Sequence, residues 1–195
     1  MELDILVFAA HPDDAELSMG GTIAKFTSKG LKVGVADLSK AELSTRGNVK
    51  LRAKETAAAS KILNLKAHEN LGIPDGNILA SQENLRSVVV LIRKYKPKIV
   101  FAPYSNDRHP DHMDVSNLVK RAFLVLVWKN SKQSLPESPR FNIDPKSYFI
   151  ICKHICFNQR LSWTSLSISK RKWNQSASIK ASFIIQGQKG RHIYQ

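Results

Sequence analysis

Two cysteines in 195 residues are too few for a disulfide framework, and no apolar run reaches the roughly 20 residues that a membrane-spanning helix requires. The longest such run, Ala122 to Trp128, has seven residues. The opening Met1-Glu2-Leu3-Asp4 lacks the basic start of a secretory signal, so the expected location is the cytoplasm, without a membrane partner. There Cys152 and Cys156 read as reduced thiols; a helix would bring them together with His154 as a metal or redox pair, a use that cytosolic chains seldom make of such spacing. A phosphate-cradling G-x-G-x-x-G is also missing after the first apolar run, which argues against a Rossmann nucleotide binder.

Acid is absent from one region. Residues 146–195 hold nine Lys and Arg and no Asp or Glu, whereas residues 1–145 hold 21 Lys and Arg against 16 acids. The formal charge of +14 therefore belongs mostly to the tail and says little about what the body binds. The length suits one domain with a real core and leaves little room for a second.

What is present is an alternation of short β-rich runs with longer amphipathic ones. Strands are predicted near 4–10, 32–38, 67–71 and 98–102, and helices near 17–29, 48–64, 81–96 and 112–129. This order, βαβαβαβα, predicts an α/β class, a Rossmann-like three-layer fold on a mostly parallel sheet. Gly30 is placed to end the first helix, Asn48 to cap the second, Ser81 with Asn84 to open the third and Pro97 to stop it. Leu71-Gly72-Ile73-Pro74-Asp75-Gly76 reads as a turn-rich loop. A short strand is expected at Tyr148–Ile151; beyond it a serine- and lysine-rich stretch carries no assignable element. The expected organisation is a domain over 1–150 and an atypical basic tail over 151–195, which reads as disordered or as a frameshifted or truncated ending.

Chemistry concentrates in two motifs. Ala10-His11-Pro12-Asp13-Asp14-Ala15-Glu16 follows the first strand, and Arg108-His109-Pro110-Asp111-His112 follows the fourth. In an open parallel sheet, ligands sit beyond the carboxyl ends of strands, so both motifs stand where chemistry is expected. Imidazole nitrogen and carboxylate oxygen are the usual non-sulfur zinc ligands, and catalytic sites keep three, leaving a position for water. His11, Asp14 and His112 are assigned to the metal; Asp13, His109 and Asp111 are left to move and direct protons. Iron, cobalt and manganese also suit two histidines and one aspartate. An aspartate after a strand also caps helices, but two adjacent acids, a histidine and Glu16 exceed what a cap needs. For Asp111 both readings stand: a helix cap, or a carboxylate that fixes an imidazole tautomer.

A three-ligand metal site with spare proton-handling groups suits metal-assisted hydrolysis. A metallophosphoesterase built on Asp13 and Asp14 would need more bridging ligands than the chain offers. A rival from another class is an inactive remnant whose tail, with Lys170-Arg171-Lys172 beside Trp173, binds single-stranded nucleic acid. Such runs are more often solvated surface, so nucleic acid is not the expected partner.

The two motifs resemble those of the LmbE/PIG-L zinc deacetylases, as do Met19-Gly20-Gly21-Thr22, Lys40 to Ser44, Arg52 to Glu55, Asn70 to Asp75 and Lys96 to Pro103. The resemblance covers residues 2 to about 130 and is strongest to members that deacetylate N-acetylglucosaminyl-malate in bacillithiol biosynthesis. It implies zinc on His11, Asp14 and His112, Asp13 as general base, and His109, supported by Asp111, at the oxyanion. It implies Arg52 and Arg108 as substrate-binding residues, suited to carboxylates by the planar guanidinium fork. The implied partner is a small N-acetylglucosaminyl conjugate; a homo-oligomer is left open. Lys50 replaces an acid usual in relatives, and Lys153–Gln195 matches nothing in the family.

Overall fold

The computed structural model describes residues 1–127 and 148–151. Cys152, His154, Cys156, the Lys170–Trp173 run and the rest of the predicted tail beyond Ile151 lie outside the described residues. Five strands, β1 (Ile5–Ala9), β2 (Val33–Asp37), β3 (Ala67–Asn70), β4 (Ile99–Ala102) and β5 (Tyr148–Ile151), form one sheet in the order β3-β2-β1-β4-β5. Every pairing is parallel. Between the strands run α1 (Asp14–Ser28), α2 (Val49–Ile62), α3 (Gln82–Tyr95) and α4 (Pro110–Val127).

Right-handed crossovers explain the layering. The steps β1 to β2 and β2 to β3 move one way across the sheet, and β3 to β4 and β4 to β5 move the other way, so α1 and α2 cover one face and α3 and α4 the opposite one. All residues of β1 and β2 are buried, as strands covered on both faces must be. α1 turns Ala15, Met19, Ile23 and Phe26 inward, three to four residues apart. On the other face α3 buries Val88, Val89, Leu91, Ile92 and Tyr95 against Val115, Leu118, Val119 and Ala122 of α4. The strand order reverses between β1 and β4, which puts a crevice at their carboxyl ends. Among the described residues no helix is long and apolar enough to cross a membrane.

The predicted punctuation holds in detail. Asn48 Oδ1 accepts the N–H of Leu51 at 2.9 Å, Ser81 Oγ accepts that of Asn84 at 3.1 Å, and Gly30 takes the left-handed conformation just after α1. Two helices start earlier than predicted. α1 begins at Asp14 instead of near residue 17; α4 begins at Pro110 instead of 112, since proline's fixed φ suits the first helical position. α1 is kinked at Met19 (φ −146°), next to Gly20-Gly21.

Candidate metal centre

Backbone bonds between strand ends fix the first motif. Leu38 and Ser39, just past β2, donate N–H groups to the carbonyls of Ala9 and Ala10 at 2.9 Å each, and the buried Ser39 hydroxyl adds a bond to Ala10 at 3.0 Å. His11 leaves this anchored strand end, and the chain turns at once into α1. Asp13 occupies the N-cap position with φ 111°, a left-handed conformation that strains any side-chain-bearing residue, and its side chain makes no capping bond. The capping alternative for Asp13 is thereby removed. Its carboxylate is instead held by Arg52 of α2, Nη1 to Oδ2 at 2.7 Å.

The two motifs meet across the β1/β4 crevice. Asp14 Oδ2 lies 3.3 Å from His11 Nδ1 and 3.2 Å from His112 Nε2, and also accepts the backbone N–H of His11 at 2.9 Å. Ligand atoms of His11, Asp14 and His112 all lie within 4.8 Å of one another, so residues about a hundred apart in sequence present two imidazoles and a carboxylate to one point. That donor set fits zinc and leaves a coordination position open. The remaining ring nitrogens are already engaged by carboxylates, as they commonly are around bound metals. His112 Nδ1 lies 3.3 Å from Asp107 Oδ2, and His11 Nε2 lies 3.0 Å from Asp75 Oδ1 and 3.1 Å from Asp111 Oδ2. Metal would therefore approach Nδ1 of His11 and Nε2 of His112.

Asp111 supports a different ring from the one expected. Its carboxylate contacts His11 and accepts the N–H of Gly76 at 3.0 Å, while only its backbone N–H reaches His109, at Nδ1, 3.3 Å away. The reason is local: Asp111 sits in the first turn of α4, where its backbone meets the His109 ring and its side chain turns inward to 2 % exposure. Acceptance at Nδ1 puts the proton of a neutral His109 on Nε2. The His109 ring stacks on His112 with centroids 4.8 Å apart and meets His11 edge-on at 5.0 Å. Arg108 is exposed and has no side-chain partner among the described residues.

Asp75 and Asp107 are the residues that sequence reading missed. Asp75 was legible only as a turn former, yet Gly76, at φ 73°, lets the loop fold back so that Asp75 Oδ2 accepts the N–H of Leu43 at 3.0 Å while Oδ1 faces His11. Asp107 carried a usable signal, a carboxylate just ahead of the motif, since metal-bound histidines commonly lean on one. Below the site a further polar chain joins β2, β3 and α2. Asp37 Oδ2 meets His68 Nε2 at 2.8 Å, and His68 Nδ1 meets Ser60 Oγ at 2.6 Å.

Charge in the site is strongly coupled. Burial alone would lower the pKa of His11, but Asp14, Asp111 and Asp75 outweigh it and push it up to about 9. His112 is likewise raised, burial being outweighed by Asp14 and Asp107. Asp14, despite burial, is held well below the usual carboxylate range by those two rings. Asp13 goes the opposite way, raised by burial and by its neighbour Asp14 against the pull of Arg52. One carboxylate is thus kept ionised while the adjacent one is made more basic, the division that ligand and base require.

The family model for PIG-L, described as GlcNAc-PI de-N-acetylase, matches residues 6–123. The chain belongs to the PIG-L family. Among curated relatives, the diacetylchitobiose deacetylase of Thermococcus kodakarensis is 30% identical over 118 residues, covering 55% of this chain and 44% of the relative. The 1D-myo-inositol 2-acetamido-2-deoxy-alpha-D-glucopyranoside deacetylase of Streptomyces avermitilis is 25% identical over 155 residues, 60% of this chain and 52% of the relative. This PIG-L chain thus spans about half the length of these relatives. The structure of a conserved protein of Thermus thermophilus matches with a TM-score of 0.68 and 38% identity over 78% of this chain and 67% of that one. The N,N'-diacetylchitobiose deacetylase of Pyrococcus horikoshii matches with a TM-score of 0.60 and 26% identity, over 65% of this chain and 51% of that one. The α/β fold and parallel sheet agree with these neighbours.

Proposed function

We propose that the protein is a zinc-dependent N-deacetylase acting on an N-acetylglucosaminyl conjugate, with N-acetylglucosaminyl-malate of bacillithiol biosynthesis as its substrate. The observation that carries this reading is the convergence of His11, Asp14 and His112 beside Asp13, whose pKa is raised although Arg52 holds one of its oxygens. Family membership and the acetylated amino sugars in the names of both curated relatives support the reaction class. The motif resemblance, which implies Arg52 and Arg108 as carboxylate-binding residues, supports the acidic aglycone.

His11 Nδ1, Asp14 and His112 Nε2 would hold the metal, which when bound supplies Lewis acidity to the acetyl carbonyl and the attacking water. Asp13 takes the proton from that water; Arg52 fixes one of its oxygens and leaves the other to receive it. As the carbonyl becomes tetrahedral, the Nε2–H of His109 donates to the developing oxyanion. Asp13 then returns its proton to the departing amine. Asp111, Asp75 and Asp107 hold the ligand rings in their tautomers. Residues 1–150 form the deacetylase domain of a cytoplasmic protein and 151–195 a basic appendage.

The experiment is incubation of zinc-loaded protein with N-acetylglucosaminyl-malate, with Asp13→Ala and His112→Ala as controls. Release of free amine by the wild-type protein alone is expected. Release undiminished in both variants would refute the assigned roles, and no release from any N-acetylglucosaminyl conjugate would refute the function.

A further inference from the structure

The surroundings of the centre are electrically lopsided. On the β3–α3 and β4–α4 side the walls are carboxylates: Asp75, Asp107 and Asp111. On the α2 side the stretch from Lys40 to Lys54 carries five cations, Lys40, Arg46, Lys50, Arg52 and Lys54, against the single acid Glu42. Glu42 is committed to the backbone, accepting N–H groups from Asp75 at 3.1 Å and Lys40 at 3.2 Å.

Within this basic stretch a groove of about 240 Å³ is lined by Arg46, Gly47, Asn48, Leu51, Arg52 and Glu55. Arg52 is the wall it shares with the centre: Nη1 holds Asp13, and Nη2 points to Ser44 Oγ at 3.5 Å. Its charge is already matched by Asp13. Arg46 differs. Its backbone is fixed by the Ser44 hydroxyl, which donates to its carbonyl at 3.1 Å, yet its guanidinium has no partner among the described residues. A guanidinium on an anchored loop, lining the same groove as the arginine that grips Asp13, offers an unused two-pronged donor to any anion on a substrate whose acetamide lies at Asp13.

We propose that this groove is a subsite for a carboxylate on the substrate's aglycone, and that Arg46 is the residue that selects acidic over neutral conjugates. The inference rests on the deacetylase reading above and adds the part of the molecule that reads the leaving group's substituent. An anionic aglycone turned toward Asp75 and Asp111 would meet like charge; turned toward Arg46 it meets the one uncommitted cation of the groove. Glu55, which also lines the groove and has no partner among the described residues, tempers the attraction.

The test compares wild type, Arg46→Gln, Arg46→Lys and Glu55→Gln on two conjugates of N-acetylglucosamine, one with malate and one with a neutral methyl aglycone. For Arg46→Gln, kcat/KM on the malyl conjugate should fall on the order of tenfold to a hundredfold, mainly through KM, with the methyl conjugate unchanged. Lysine should restore part of the loss, and Glu55→Gln should favour the malyl conjugate a few-fold. Equal losses on both conjugates, or no loss on either, would overturn the assignment. Calorimetric binding of both conjugates decides the point without turnover. If neither is deacetylated the catalytic reading fails, while a malyl preference lost in Arg46→Gln still upholds the subsite and its absence sinks it.

Discussion

The two helical layers are built differently. α3 and α4 bury aliphatic side chains against each other and the sheet, whereas α2, on the opposite face, buries no residue at all, and its Ser60 meets a polar chain through His68 to Asp37. One layer supplies hydrophobic stabilisation, at roughly 25 cal/mol for each Å² of apolar surface removed from water. In the other, α1 still buries Ala15, Met19, Ile23 and Phe26, but α2 gives up such burial to hang Arg52 over Asp13 and to line the groove with charge. Local stability should follow the same division, low where few apolar contacts hold an element and high where many do. The candidate metal centre sits on the seam, with His11, Asp13 and Asp14 at the start of α1 and His109, Asp111 and His112 at the start of α4.

The largest effect that sharpens this contrast is chemical. Asp13→Asn should lower kcat by about a hundredfold to ten-thousandfold while metal content stays at the wild-type level, because the base is lost and the ligands are not. Metal analysis of the same preparation checks it. Next comes a matched pair of isoleucines, Ile92 of α3 at 1% exposure and Ile62 of α2 at 84%. Ile92→Ala should cost about 2–5 kcal/mol and Ile62→Ala no more than about 0.5 kcal/mol in denaturant unfolding. Comparable losses would erase the distinction between α3 and α2.

A smaller effect concerns pH. His11, His68 and His112 all have raised pKa values, His11 to about 9, so in metal-free protein their contribution to stability is complete below about pH 6.5 and is lost as pH rises toward 9. Melting temperatures in chelator should therefore fall over that window, and a rise would contradict the pairing. Last, Asn48→Ala removes the cap that starts α2 and should cost about 1 kcal/mol, with amide exchange quickened in α2 and not in α3.

Much of this was legible in the sequence wherever the cause is local. Capping side chains act over three residues, so Asn48 and Ser81 were readable, as was Pro97 beyond α3. Buried parallel strands read as continuous apolar runs, and β1 and β4 fell within a residue or two of expectation. The convergence of His11, Asp14 and His112 was legible because two motifs of the same chemistry end two such strands. What escaped was decided by pairing across the fold. Nothing near Asp75 marks it as a partner of His11, 64 residues away, and nothing near Arg52 announces Asp13, 39 residues away. Asp111 was read as a helper of an imidazole, and which imidazole it helps depends on how α4 docks against β1. The bareness of α2 was likewise hidden, since an alanine-rich helix looks equally suited to a core.

The central claim, that His11 and Asp14 meet His112 around one divalent ion, is tested most directly by a crystal structure of zinc-loaded protein with anomalous data at the zinc edge. One strong peak is expected, about 2.0–2.2 Å from His11 Nδ1, an Asp14 oxygen and His112 Nε2, with a fourth position facing solvent. A peak elsewhere, or rings turned so that these atoms do not converge on it, would contradict the account.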